Sequence, residues 1–230
     1  MKAFTALFTA IDQTTKTNQK VQAMVDYFSQ AEDKIFAVSI LIGNRPKRPV
    51  KTSELREWAA EIADLPMWLF EESYHVVGDL AEAIALMLPP PEKEQQTSLR
   101  ETLAFLSELT NFPDEVKKAK IIDYWMSTET QERFVFNKLI TGNFRMGVSK
   151  QLVIKSLAKY LDQEATSIAH QLMGKWDPYA ETMASMFAGG THLDKNYLPY
   201  PFFLAYPLDS DPDTLGDISD WYIEKKLDGI

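Results

Sequence analysis

The chain has 230 residues, is 45% hydrophobic, and sets 24 lysines and arginines against 33 aspartates and glutamates, for a formal net charge of −9. That length and apolar share suit a folded globular protein with one large core or two modest ones, and exclude a disordered tail. With no cysteine in the sequence, disulfides and thiolate metal sites are excluded, and an intracellular reducing compartment is allowed.

From the N-terminus, "MKAFTALFTAIDQ" has one lysine and a short apolar run, but Asp12 follows at once and no small-residue cleavage site appears, so it does not read as a signal peptide. No stretch approaches the ~18 apolar residues of a membrane span, and no membrane partner is expected. Nearly everything before residue 190 predicts helix. The runs are "KVQAMVDYFSQ", "DKIFAVSILI", "SELREWAAEIA", "VVGDLAEAIALML", "SLRETLAFLSEL", "FPDEVKKAKIIDYWMS", "ERFVFNKLI", "KQLVIKSLAKYL", "EATSIAHQLM" and "AETMASMF". Ser98 and Glu101 have capping-box spacing, and Leu99, Leu103, Leu106 and Leu109 form one apolar stripe. Thr128 and Gln131 repeat the capping-box spacing before the next run. Pro113 suits a helix start, Asp79 can cap the helix after Gly78, and the acids following Pro113 suit the exposed amides of a first turn.

The prolines of "PPPEKEQQT", residues 89–97, end a helix and predict two helical lobes, about 1–88 and 97–190. After Gly189 and Gly190, "LPYPFFLAYPL" reads as an extended segment pressed onto a surface, and an acidic stretch follows. Residues 191–220 are thus a proline-rich and acidic connector. Residues 221–230, "WYIEKKLDGI", open with strand formers and start another domain. Charge is uneven: residues 209–230 hold seven acids and two bases, leaving 26 acids and 22 bases before them, so basic clusters fit within an acidic chain.

Two such clusters stand out. In "GNRPKRPVK", prolines hold Arg45, Lys47 and Arg48 outward between two helices. In "LITGNFRMGVSKQLVIKSLAKYL" a helix closes at Gly142 and another opens at Ser149. There Gly142 and Gly147 let backbone approach a ligand, Ser149 can cap, and Asn143, Arg145 and Lys150 supply polar and positive groups to a phosphate. The alternative for the first cluster is a solvated surface loop, and for the second a helix hairpin with capping glycines. Two basic loops at helix ends are what gripping a sugar-phosphate backbone from two sides requires. Trp58, Trp68, Trp125 and Trp176 lie in amphipathic runs and are expected in the core. His75, His170 and His192 lack ligand spacing, so no metal site is expected. The phosphate-loop lysine motif, the dinucleotide glycine fingerprint, G-x-S-x-G and the metalloprotease helix are all missing.

The last segment contains K-x-D-G, with Lys226 between Glu224 and Asp228 on one side of an extended chain, which by itself keeps the amine charged and weakly nucleophilic. In that order, "RPKRPVK", "LPMWLFEESYHVVGDLAEAIALMLP", "FNKLITGNFRMGVSKQLVIKSLA", "YPFFLAYPL" and "EKKLDGI" resemble the ATP-dependent DNA ligases, closest to a bacterial branch. The resemblance covers about residues 37–230. It implies an all-α, two-lobed DNA-binding domain over 1–190, an extended connector, and the first strand of an α+β nucleotidyltransferase domain cut just after its first motif. It further implies that Lys226 attacks the ATP α-phosphate, that Glu224 recognises adenine, and that Asp228 and Gly229 complete the motif. ATP and Mg²⁺ are expected for the parent enzyme only, and the 230-residue piece is expected not to become adenylylated by itself. The implied partner is nicked duplex DNA gripped through phosphates by Arg45, Lys47, Arg48, Gly142, Asn143, Arg145, Gly147, Ser149 and Lys150. A monomer in the bacterial cytoplasm, associated with the nucleoid, is expected. Two alternatives remain open: a helical protein-interaction scaffold in which K-x-D-G is accidental, and another lysyl-nucleotidyl enzyme such as an RNA ligase or capping enzyme.

Overall fold

A computed structural model describes residues 1–91, 93, 95–142, 144, 146–187, 211, 214 and 216–221. The chain divides into two compact units, Met1–Leu193 and Asp194–Ile230. Among the described residues all regular structure is helical. In the second unit the described residues include a 3-10 turn over Ile218–Asp220, capped by Asp217, whose carboxylate accepts from the backbone and hydroxyl of Ser219. Those two bonds hold the Asp217 carboxyl below its ordinary range. Trp221 opens the segment expected as a strand, and residues 222–230 lie outside the described residues.

The first unit opens with α1 (Lys2–Asp12), α2 (Thr17–Gln30), α3 (Lys34–Leu41), α4 (Thr52–Ile62), α5 (Met67–Val77) and α6 (Leu80–Met87). It continues with α7 (Leu99–Leu109), α8 (Asp114–Met126), α9 (Thr130–Thr141), α10 (Lys150–Leu161), α11 (Ala165–Gln171) and α12 (Met183–Phe187). Leu99, Leu103, Leu106 and Leu109 are all buried, and the Ser98–Glu101 capping box forms as its spacing predicts. Asp79 caps α6 by accepting from the Glu82 amide. The run "VVGDLAEAIALML" is two elements, because Gly78 takes a left-handed φ of 78° that closes α5 before α6 begins. The box expected at Thr128 and Gln131 does not form. Glu129 is the N-cap of α9, and the Thr128 hydroxyl donates to the Tyr124 carbonyl at the end of α8. Trp58 and Trp125 are buried and Trp176 half-buried, but Trp68 is 67% exposed on the outer face of α5.

The helices on either side of residues 89–97 share one cluster of buried side chains. α6 packs on α9, α2 on α10, and α1 on both α2 and α9. Two buried polar groups fasten these helices together. Asn137 on α9 accepts from the Trp125 indole on α8 at 2.8 Å and donates to the Ala81 carbonyl on α6 at 3.2 Å. Arg133, fully buried, donates to the carbonyls of Leu88, Pro89, Trp125 and Thr128. Those carbonyls cluster at the C-terminal ends of α6 and α8, where backbone dipoles supply the negative potential that lets a cation stay inside without a carboxylate.

Candidate nucleic-acid interface

The site is made by the connectors that follow α3 and α9. α9 stops because Gly142 adopts φ of 72°, a left-handed conformation that costs a side-chain-bearing residue about 1–2 kcal/mol. Its last carbonyls then point out unsatisfied, as at any helix C-terminus. Arg48 donates to the Thr141 carbonyl at 2.6 Å and Arg45 to the Gly142 carbonyl at 2.9 Å. The two basic segments, read from the sequence as separate patches, are therefore bonded to one another. Burial of Pro49 and Val50 anchors the first connector from behind.

The second connector is anchored by its aromatics and methionine. Phe144 is buried and packs against Phe4 and Phe8 of α1, with ring centroids 5.8 and 5.3 Å apart, and Met146 is buried as well. Burying one such side chain contributes about 1.5–3 kcal/mol, enough to fix the path of a short connector. Gly147 is exposed with φ of 58°, and its carbonyl accepts from Lys20 of α2 at 2.9 Å. Ser149 then caps α10, its hydroxyl accepting from the Leu152 amide at 3.2 Å, and exposed Lys150 donates to the Leu172 carbonyl at 3.4 Å. Between the connectors lies a cleft of about 530 Å³ lined by Gly43, Arg45, Phe144, Gly147, Ser149 and Lys150, among others.

The cleft gathers several cations that have no carboxylate partner among the described residues. Elsewhere some cations pair with acids, Lys138 with Asp79, Arg56 with Glu71, Lys118 with Glu61 and Lys117 with Asp114, while others such as Lys34 and Lys159 donate to neutral side chains. Arg45, Arg48, Lys20 and Lys150 instead donate to backbone carbonyls, and exposed Lys47 has no ion pair or hydrogen bond among the described residues. Among the described residues no carboxylate pairs with these cations, which suits an approaching anion. Of the sequence-predicted residues, Arg45, Lys47, Arg48, Gly142, Gly147, Ser149 and Lys150 fall in or beside the two connectors. Asn143 and Arg145 lie outside the described residues, as do Glu224, Lys226, Asp228 and Gly229. Lys20 was not among the expected residues; its only sequence signal was a lysine near the start of a helix.

Among the described residues, no group of three or more His, Asp or Glu side chains is placed to hold a metal ion, and no helix is long and apolar enough to cross a membrane. The fold and its cleft define a helical domain with a concentrated cationic surface on an acidic chain. Residues 1–158, more than half of the chain, match the sequence model of the family described as DNA ligase N terminus. The chain belongs to that family. A search of curated proteins finds no match.

Proposed function

We propose that this chain binds nicked duplex DNA through its phosphates, without sequence preference, as the DNA-gripping part of an ATP-dependent DNA ligase. The observation that supports this most strongly is the meeting of two cationic connectors at one cleft, with no carboxylate pairing with them among the described residues. Phosphate contacts of this type position a protein on a duplex and carry no base information. Their strength falls with salt, since each neutralised phosphate releases condensed counterions.

For the chemistry, the proposal assigns the nucleophile to Lys226. After losing its proton, its amine would bond to the α-phosphorus of ATP as the bond to pyrophosphate breaks, and a bound Mg²⁺ would offset the phosphate charge. AMP then passes to the 5′-phosphate of a nick, and the 3′-hydroxyl displaces it to seal the strand. Glu224 would recognise the adenine, with Asp228 and Gly229 completing the motif. A role in DNA repair, replication and recombination in the cytoplasm or nucleoid of a bacterium completes the reading.

Gel-shift titration with nicked duplex at two salt concentrations tests the DNA-binding part. Wild type is expected to bind at the lower salt and weaken at the higher, and Lys47→Ala and Arg145→Ala each to bind more weakly with a shallower salt dependence. Binding that ignores salt, or no binding, points instead to a protein scaffold. Stronger binding to a nicked RNA duplex than to DNA points to an RNA-joining relative.

A further inference from the structure

Lys20 sits where folding gives a lysine little reason to be. It is the fourth residue of α2, closing the first turn, with Lys16 at the N-cap four residues earlier on the same face. A helix N-terminus carries partial positive charge, and like charges four residues apart repel, so both placements disfavour the helix by a few tenths of a kcal/mol or more. The one bond Lys20 gains is to the Gly147 carbonyl in an exposed setting. Such a bond offsets little more than the side-chain entropy of holding a lysine still. α2 has a single acid, Asp26, and that carboxylate accepts from Gln22 instead. Residues that break local stability rules without a compensating partner are expected at functional sites.

Where the ammonium rests supplies the reason. It lies against the bare Cα of Gly147: a Cβ there would come within 3.0 Å of the lysine nitrogen, at a φ that already favours glycine. Three cations from the first 48 residues, Lys20, Arg45 and Arg48, thus donate to three carbonyls at the end of α9 and in the connector that follows it, those of Gly147, Gly142 and Thr141. Each bond joins residues 93 or more apart in sequence. An ammonium has three donors, and only one is spent on Gly147.

We propose that Lys20 is a phosphate-contacting residue of the duplex-binding surface, bridging the Gly147 carbonyl to a DNA phosphate and extending that surface from the two connectors onto the start of α2. The proposal rests on the duplex-binding reading above. The test is fluorescence-anisotropy titration of a labelled nicked duplex at several salt concentrations with wild type, Lys20→Met, Lys20→Arg and Lys118→Met. The methionine keeps the aliphatic stem, the arginine keeps the charge, and Lys118→Met removes an equal charge from α8, where Lys118 pairs with Glu61 of α4. Losing one phosphate contact should make the plot of log affinity against log salt shallower by about 0.9 for Lys20→Met. Lys20→Arg and Lys118→Met should keep the wild-type slope. A wild-type slope in Lys20→Met, with wild-type circular dichroism, overturns the assignment while leaving the duplex-binding reading intact. A slope reduced equally in Lys118→Met also overturns it, since the effect would then follow net charge. Absence of salt-dependent binding by wild type removes the reading on which the proposal rests.

Discussion

Arg133 shows how a single residue can hold this fold together. Its guanidinium reaches carbonyls at the ends of two helices, and burial lowers its pKa from the ordinary arginine value without removing the charge. Replacing it with methionine would leave four carbonyl groups without their donor in a dry setting. The expected loss is more than about 3 kcal/mol, read as a lower urea midpoint. Lysine should not restore it, because a point charge cannot serve the same fan of acceptors. A wild-type midpoint for Arg133→Lys would contradict this account. Tyr27 and Tyr124 provide a second test at this scale. Burial pushes both phenols above their ordinary pKa, with Asp33 adding to the effect at Tyr27 and hydrogen bonding with Thr102 opposing it at Tyr124. A raised folded-state pKa means the stabilisation is complete below the unfolded value of about 10 and is lost as pH rises beyond it. Denaturant midpoints should therefore decline above about pH 10, and less steeply in Tyr27→Phe. An identical decline in that variant would discount the phenol.

At the scale of elements, α7 depends on its cap. The Glu101 carboxylate accepts from the Ser98 amide and hydroxyl and is held below its ordinary range by them. Ser98→Ala should cost about 1 kcal/mol in denaturation measurements, and Ser98→Thr much less. α5 and α6 show a different surface from the cleft. They expose Trp68, Val76 and Leu86 and contain no lysine or arginine, so they are poorly suited to a polyanion. Trp68→Ala should leave the affinity for nicked duplex unchanged in anisotropy titrations; a tenfold loss would move the interface to this face. Elements were legible in the sequence where an apolar stripe or a cap announced them, as with the four leucines of α7 and Ser149 before α10. α5 was not, because only Phe70 of its eleven residues is fully buried and no stripe results. The Thr128 cap failed for a related reason, since the preceding helix end captured its hydroxyl before α9 could use it.

Across the whole molecule, an acidic protein gathers Lys20, Arg45, Lys47, Arg48 and Lys150 in or beside one cleft, with no carboxylate partner among the described residues. Each basic segment was visible by itself in the sequence. Their meeting was not, because the bonds that join them span 93 and 97 residues and no local pattern encodes which connector faces which. Arg45 and Arg48 also cap α9, so their removal would combine loss of charge with loss of a helix end; Lys47, which caps nothing, isolates the charge. The measurement that tests the central claim most directly is the affinity of the chain for two nicked duplexes of unrelated sequence across a series of salt concentrations, with Lys47→Ala measured alongside. The account predicts two coincident straight lines of log affinity against log salt, falling with salt, and a line shallower by about 0.9 for the variant. Affinity that does not change with salt, or that differs tenfold between the two sequences, would contradict it.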